Sequence, residues 1–264
     1  MKIINKNYSL DFNLDKRITL ISDLHFLSDK DLDRLNCILE NIEKQSPNYI
    51  CITGDILDKS KVFNEDTLID WLKNLSKIAK VIVSLGNHEF YIDKKQKMFG
   101  LNETLIKKIA NIDNLYLLDN KNIIIDNINF IGLTVPMNLY YKKSTINDIN
   151  ELLNKLKTSN KCLNILLCHS PEFVSTESVL KDRNIDLILC GHMHGGAVPT
   201  FLRKIFGYRG IISPSRKLFP KYAYGKIKIN KTSIIITSGT KVLPKNKFNS
   251  IFKPEIVNLT FKQN

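Results

Sequence analysis

The chain contains five histidines, and each lies in a short motif with a carboxylate, a carboxamide, a thiol or a glycine close by. His25 lies in Ser22-Asp23-Leu24-His25, His88 in Gly86-Asn87-His88-Glu89, and His169 follows Leu166-Leu167-Cys168. His192 and His194 share Gly191-His192-Met193-His194-Gly195-Gly196. Between the first two groups stands Gly54-Asp55-Ile56-Leu57-Asp58. Such N and O donors, with no obligatory thiolate, suit Mn, Fe, Zn or Co. Asp-x-His in an extended segment sends both side chains to one face, because alternate residues point the same way. His-x-His does this for two imidazoles, and the two glycines after it permit a tight exit. Gly54 lets the backbone turn sharply so that Asp55 projects. Taken singly, each motif also has an ordinary reading: a strand-end cap, a turn at Asn87, a satisfied polar group at His169. Asp58 reads equally as a hydrogen-bonding partner of a ligand and as a loop acid. The ordered set points to chemistry.

Each motif directly follows a short apolar run. Arg17 to Ser22, Tyr49 to Thr53, Val81 to Leu85, Leu163 to Leu167 and Asp186 to Cys190 are rich in Ile, Leu and Val and read as strands. Amphipathic stretches lie between several of them. Leu32, Leu35, Ile38, Leu39 and Ile42 recur at helical spacing, as do Leu68, Trp71, Leu72 and Leu75. That alternation predicts an α/β fold with layered sheets. Ile123 to Ile125, Ile128 to Leu133, Lys226 to Ile229, Ile234 to Thr237 and Ile256 to Phe261 add strands with little helix between them, which implies a partly antiparallel sheet. Ligands in such folds collect at the carboxyl ends of strands, so five strand ends are expected to converge on one site. No repeat, low-complexity linker or composition break divides the 264 residues, and we expect a single domain over 1–264.

The charge is uneven. The net charge is +13, and residues 187–254 hold 13 Lys or Arg with no Asp or Glu. The rest of the chain carries 26 basic and 26 acidic residues, so the whole excess follows the last histidine motif. An anionic partner is the expectation. The five cysteines (Cys37, Cys51, Cys162, Cys168 and Cys190) form no Cys-x-x-Cys pair. Three precede motifs within apolar runs and read as small buried hydrophobes in a reducing compartment, with ligation by Cys168 or Cys190 as the alternative. Met1 to Arg17 mixes Lys, Asn and Asp among its apolar residues, unlike a signal peptide, and no apolar run approaches a membrane span. We expect a cytoplasmic protein, peripheral at most to the inner membrane face.

The series Asp23-x-His25, Gly54-Asp55, Gly86-Asn87-His88-Glu89, His169 and Gly191-His192-Met193-His194 resembles that of the calcineurin-like metallophosphoesterases. Gly195-Gly196, Ser238-Gly239-Thr240 and Pro254-Glu255-Ile256 extend the likeness to the bacterial YkuE/YaeI-type phosphodiesterase branch, although Ala197 stands where that branch usually has Gln. The resemblance implies an αββα sandwich of two mixed β-sheets flanked by helices, the metallophosphoesterase fold. It also implies two divalent transition metal ions, one on Asp23, His25 and His194, the other on Asn87, His169 and His192, with Asp55 bridging. A bridging hydroxide between metals roughly 3.5–4 Å apart would attack a phosphodiester that is lipid-linked, glycosyl or nucleotide. His88 would contact the phosphoryl oxygens or protonate the leaving oxygen rather than bind metal. A nuclease, a phosphomonoesterase or protein phosphatase, and a non-catalytic metal-binding scaffold are the competing functions. Possession of all seven ligands weighs against the scaffold.

From about 199 to 253 the chain interleaves basic with apolar and aromatic residues. One reading is an ordered loop whose Phe and Ile pack inward. The other is a lip beside the metals, with Arg203, Arg209 and Arg216 as substrate contacts and an anionic membrane or lipid-linked substrate as partner. Nucleic acid ranks below these because no second binding module is visible.

Overall fold

A computed structural model of the chain describes residues 2–58, 64–90, 103–141, 146–241 and 251–262. In chain order the strands are β1 (Ile4–Leu10), β2 (Arg17–Ile21), β3 (Tyr49–Thr53), β4 (Lys80–Ser84), β5 (Leu115–Leu117) and β6 (Lys121–Ile125). They continue with β7 (Ile128–Leu133), β8 (Leu163–Cys168), β9 (Leu187–Cys190), β10 (Gly225–Ile229), β11 (Thr232–Ile236) and β12 (Glu255–Phe261). The helices are α1 (Leu32–Gln45), α2 (Glu65–Ile78), α3 (Glu103–Ala110), α4 (Met137–Tyr141), α5 (Ile146–Asn154), α6 (Glu177–Leu180) and α7 (Arg203–Phe206).

Two sheets form, in the orders β1-β12-β2-β3-β4-β5 and β10-β11-β9-β8-β7-β6. In the first, β2 to β5 run parallel and β12 is antiparallel to β2. In the second, β7, β8, β9 and β11 run parallel, with β6 and β10 antiparallel at the edges. Both sheets are therefore mixed, as the run of late strands implied. β3 (Tyr-Ile-Cys-Ile-Thr) is buried at every position, which is why it reads as an unbroken apolar run.

Three apolar layers hold the sheets and helices together. Leu35 and Ile38 of α1 and Leu72 and Leu75 of α2 pack on Ile50, Ile52, Val81 and Val83 of the first sheet. The middle layer lies between the sheets and contains Leu20, Ile82, Phe130, Leu167 and Leu189. The third sets Ile149 and Leu153 of α5 and Leu180 of α6 against Leu166, Ile188 and Ile234. Helix, sheet, sheet and helix thus stack in the expected order. The indole N–H of Trp71 donates to the Leu35 carbonyl at 3.0 Å and ties α2 to α1.

Two strands escaped the sequence reading. β1 is an edge strand pairing with β12 alone, and its residues alternate between half-buried and exposed, so no apolar run forms. β5 has only three residues. The cysteines are all free, and burial raises the thiols of Cys51, Cys168 and Cys190, that of Cys168 to about 12. Cys51 lies in the layer between the sheets and Cys168 and Cys190 in the third apolar layer, and among the described residues none joins a group of possible ligand atoms, which favours the small-hydrophobe reading. Among the described residues, no helix is long and apolar enough to cross a membrane.

Phe130 is fully buried between the sheets, its ring 5.0 Å from that of Tyr49. Phe130→Ala should lower unfolding free energy by roughly 3–5 kcal/mol in denaturant titration. Ile124→Ala, at a side chain 55% exposed on β6, should change it by less than about 0.5 kcal/mol.

Candidate metal centre

The carboxyl ends of β2, β3 and β4 in one sheet and of β8 and β9 in the other deliver all the residues singled out by the motifs. The loops are stitched to one another through their backbones. Asp23 N donates to Gly54 O at 3.2 Å, His25 N to Asp55 O at 2.9 Å, and Gly191 N to His169 O at 2.9 Å. The segment after β11 joins them, with Thr240 N donating to Ser22 O at 2.9 Å. Gly54 takes φ +77°, and a Cβ there would lie 2.5 Å from Gly86 N, so the turn requires glycine. At Gly191 a Cβ would meet Ser22 Oγ at 1.8 Å; here closeness, not conformation, excludes a side chain. Asp23, His25, Asp55, His192 and His194 all have φ between 44° and 66°, a region that side chains disfavour. Leu24 and Met193, between the paired ligands, are not in that region, so the Asp-x-His and His-x-His segments depart from the extended form expected from the sequence at the ligands themselves. Asp23 and His25 still meet in one ligand group, whereas His192 and His194 go to different ones.

Among the described residues, three groups of possible ligand atoms form, each within 4.8 Å: Asp23 with His25 and His194, Asp55 with His169 and His192, and His25 with Asp55 and His88. His25 Nε2 lies 3.8 Å from Asp23 Oδ1 and 3.7 Å from Asp55 Oδ2. His194 Nε2 lies 3.6 Å from Asp23 Oδ1, and His169 Nε2 lies 3.1 Å from Asp55 Oδ2. His169 Nδ1 is 2.6 Å from the Thr53 carbonyl, to which it donates, so Nε2 is the atom turned inward. His192 Nδ1 stands 3.1 Å from that same Nε2. His88 borders the cluster, with Nε2 3.8 Å from Asp55 Oδ2 and its ring edge-on to His25 at 4.5 Å.

Electrostatics match a cation site. Burial alone would raise the carboxyls of Asp23 and Asp55, but the surrounding imidazoles hold both well below the usual range. Burial opposes a charge on His169, yet Asp55 and Asp23 lift its pKa to about 10. Burial and the neighbouring His169 push His192 down to about 3, and burial lowers His194. Asp23 Oδ1, His25 Nε2 and Asn87 Oδ1 are buried with no hydrogen-bond partner among the described residues. Leaving a buried polar atom unsatisfied costs roughly 1–3 kcal/mol. Two ionised carboxylates, inward lone pairs and an orphaned carboxamide oxygen are what divalent cations would satisfy, so the donor set fits the metals expected from the sequence.

Several supporting residues had no assigned role in the sequence. Glu89 is buried and accepts from Asp55 N at 2.9 Å, Leu57 N at 3.1 Å and Gly86 N at 2.7 Å, which clamps the loops after β3 and β4. Its place beside Asn87 and His88 was the signal. Lys241 sends Nζ to the His25 carbonyl and to Asp58 Oδ2, both at 2.8 Å. Asp58 Oδ1 in turn lies 3.8 Å from His88 Nδ1, which places Asp58 at the border of the cluster. Tyr140 meets His192 edge-on at 5.4 Å, and nothing in its sequence context marks it.

The basic segment divides. Arg203 is buried, donating from Nη1 to Ser238 Oγ at 2.9 Å and lying 3.6 Å from Glu255. That placement corrects its expected part as a substrate contact: its guanidinium braces the segment against β12. Arg209 and Arg216 are exposed, and so are Phe201, Ile205, Leu218 and Phe219, so the segment does not simply pack inward. Residues 242–250, with Lys245 and Lys247, lie outside the described residues.

The calcineurin-like phosphoesterase family model matches residues 16–196, which contain every candidate ligand. A metallophosphoesterase of Helicobacter pylori is 28% identical over 232 residues, covering 86% of this chain and 55% of that protein. One of Campylobacter jejuni is 26% identical over 230 residues, covering 85% of this chain and 54% of that protein. The metallophosphoesterase YkuE of Bacillus subtilis is 25% identical over 251 residues, covering 93% of this chain and 79% of that protein. This chain spans about half the length of the Helicobacter and Campylobacter relatives. With a family match over more than half its residues and the family's motifs gathered in one cluster, the chain belongs to the calcineurin-like phosphoesterases.

Proposed function

We propose that the chain is a phosphodiesterase dependent on two divalent cations, one held by Asp23, His25 and His194 and the other by Asn87, His169 and His192, with Asp55 shared. The position of Asp55 carries this reading. Its Oδ2 lies 3.1 Å from His169 Nε2 and 3.7 Å from His25 Nε2, between the two ligand groups. Bound there, Mn, Fe, Zn or Co ions would draw in the phosphoryl oxygens and acidify the attacking water.

The chain's own groups do the rest. Backbone bonds to Glu89 fix the turn that presents Asp55, and the Thr53 carbonyl fixes the tautomer of His169. Asp58, held by Lys241, faces His88 Nδ1 and supports its imidazolium. His88 Nε2 then faces the cluster and can give a proton to the leaving oxygen, a role worth roughly 10²–10⁴-fold. The YkuE-type motif series favours a diester, whether lipid-linked, glycosyl or nucleotide, over a monoester.

A chromogenic aryl phosphodiester and its monoester, offered to the Mn-loaded protein, test this. Diester cleavage should exceed monoester cleavage and disappear in Asp55→Ala. Two bound metals per chain with neither ester cleaved would instead indicate the scaffold, and monoester cleavage alone a phosphatase. His88→Ala should lose roughly 10²–10⁴-fold in turnover while keeping its metal content by elemental analysis. Loss of one metal from that variant would make His88 a ligand, as the grouping of His25, Asp55 and His88 permits.

A further inference from the structure

Of the eight large apolar side chains most exposed among the described residues, six lie between positions 201 and 219. Phe201 is 68% exposed, Ile205 79%, Leu218 67% and Phe219 65%. The same stretch exposes Lys204, Arg209, Arg216 and, just beyond, Lys221. We propose that this segment docks the protein on an anionic lipid surface, with the four apolar side chains entering the interfacial layer and the four cations meeting the headgroups.

The segment is built to hold these side chains outward. Ile212 and Leu218 pair across a small hairpin, closed by Phe219 N donating to Ile211 O and Ser213 N to Lys217 O, each at 2.9 Å. Gly210 N donates to Pro220 O at 3.0 Å and Ala223 N to Tyr208 O at 2.7 Å, which joins the end of α7 to the base of the hairpin. Phe219 sits at φ 51°, a conformation unfavourable for a bulky residue, while its ring stays in solvent. The described fold therefore bears local strain and exposed apolar area together at this residue. Burying side chains of this size in an apolar layer favours docking.

Charge selects the occupant. Residues 187–254 contain no acid, and Glu172, a carboxylate beside this face, is taken by Lys217 at 2.9 Å. A second copy meeting this face symmetrically would set cations against cations. Single-stranded nucleic acid can stack on Phe201 and Phe219 but gives nothing to Ile205 or Leu218. A bilayer interface accepts both the aliphatic and the aromatic side chains, and anionic headgroups attract each nearby cation.

Docking there would set the metal centre against the headgroups. Gly196, two residues after His194, accepts from Ile211 N at 2.7 Å and Ile212 N at 3.2 Å. The hairpin is thus fastened directly to the ligand loop. The inference does not depend on catalysis, and its test needs none.

The full chain would be sedimented with vesicles of equimolar phosphatidylglycerol and phosphatidylcholine, and with phosphatidylcholine alone, at low and high salt. Binding is expected to the anionic vesicles and to weaken with salt. A variant combining Phe201→Ser, Ile205→Ser, Leu218→Ser and Phe219→Ser should bind roughly a hundredfold less or weaker, with an unchanged thermal melt. A variant combining Lys204→Glu, Arg209→Glu and Lys221→Glu should lose the preference for anionic lipid. No sedimentation at low salt would overturn the proposal. So would binding that the serine variant retains in full and that single-stranded DNA competes away. A dimer by light scattering, abolished by the serine substitutions and unaccompanied by vesicle binding, would assign the face to a second copy.

Discussion

Two ionised carboxylates at the ends of adjacent strands, Asp23 after β2 and Asp55 after β3, set the terms for the rest of this structure. Both are nearly inaccessible to water. A buried charge is tolerated only where opposite charge and hydrogen bonds surround it. Around these two, the chain arranges backbone N–H groups and imidazoles. His192 N reaches Asp23 Oδ2 at 3.0 Å, and His88 N reaches Asp55 Oδ1 at 2.9 Å. The outer oxygens, Asp23 Oδ1 and Asp55 Oδ2, are left facing imidazoles. One oxygen of each carboxylate is thus spent on the backbone of an opposing loop, and the other is turned to the cluster. This division fixes the loops' relative positions and aims the ligands in one stroke.

Holding those charges has a backbone cost. Five candidate ligands adopt positive φ, a conformation that costs an L-residue roughly 1–2 kcal/mol. Strain of this kind persists only where surrounding structure over-determines it, and here that structure is the central strands β2, β3, β4, β8 and β9, buried on both faces almost throughout. Glu89 makes the same point from behind the site. Burial and the nearby Asp55 raise its carboxyl, while three backbone N–H groups hold it in place. Its two oxygens bind the turn bearing Asp55 to the turn bearing Asn87 and His88, so the ligands from neighbouring strands move as one body.

Much of this was legible in the sequence, and what was not has physical reasons. Strands buried on both faces, such as β3, β8 and β9, announce themselves as unbroken apolar runs, and the motifs at their ends follow. β1 was missed because an edge strand needs only one half-buried face. The ligand geometry differs in its local form: in Asp-x-His and His-x-His the ligands themselves take positive φ, which their residue types alone do not announce. Lys241 lies 186 residues after Asp55 in a segment without a metal motif, and its meeting with His25 and Asp58 exists only in three dimensions. Arg203 was placed with the exposed arginines because its neighbours are basic and aromatic. The buried Glu255, 52 residues onward, is what draws it in.

The site and the surface beside it divide the labour of charge. Within the cluster, ionised Asp23 and Asp55 are opposed by imidazoles, two of which burial presses toward neutrality, so the ligand groups alone do not account for the chain's excess of positive charge. That excess sits after His194, in a segment that begins at the ligand loop and is bonded back to it at Gly196. On the proposed docking, this segment would offer an anionic ester both positive charge and, through Phe, Ile and Leu, apolar surface, so an ester with an apolar tail would gain more from it than a small soluble phosphate.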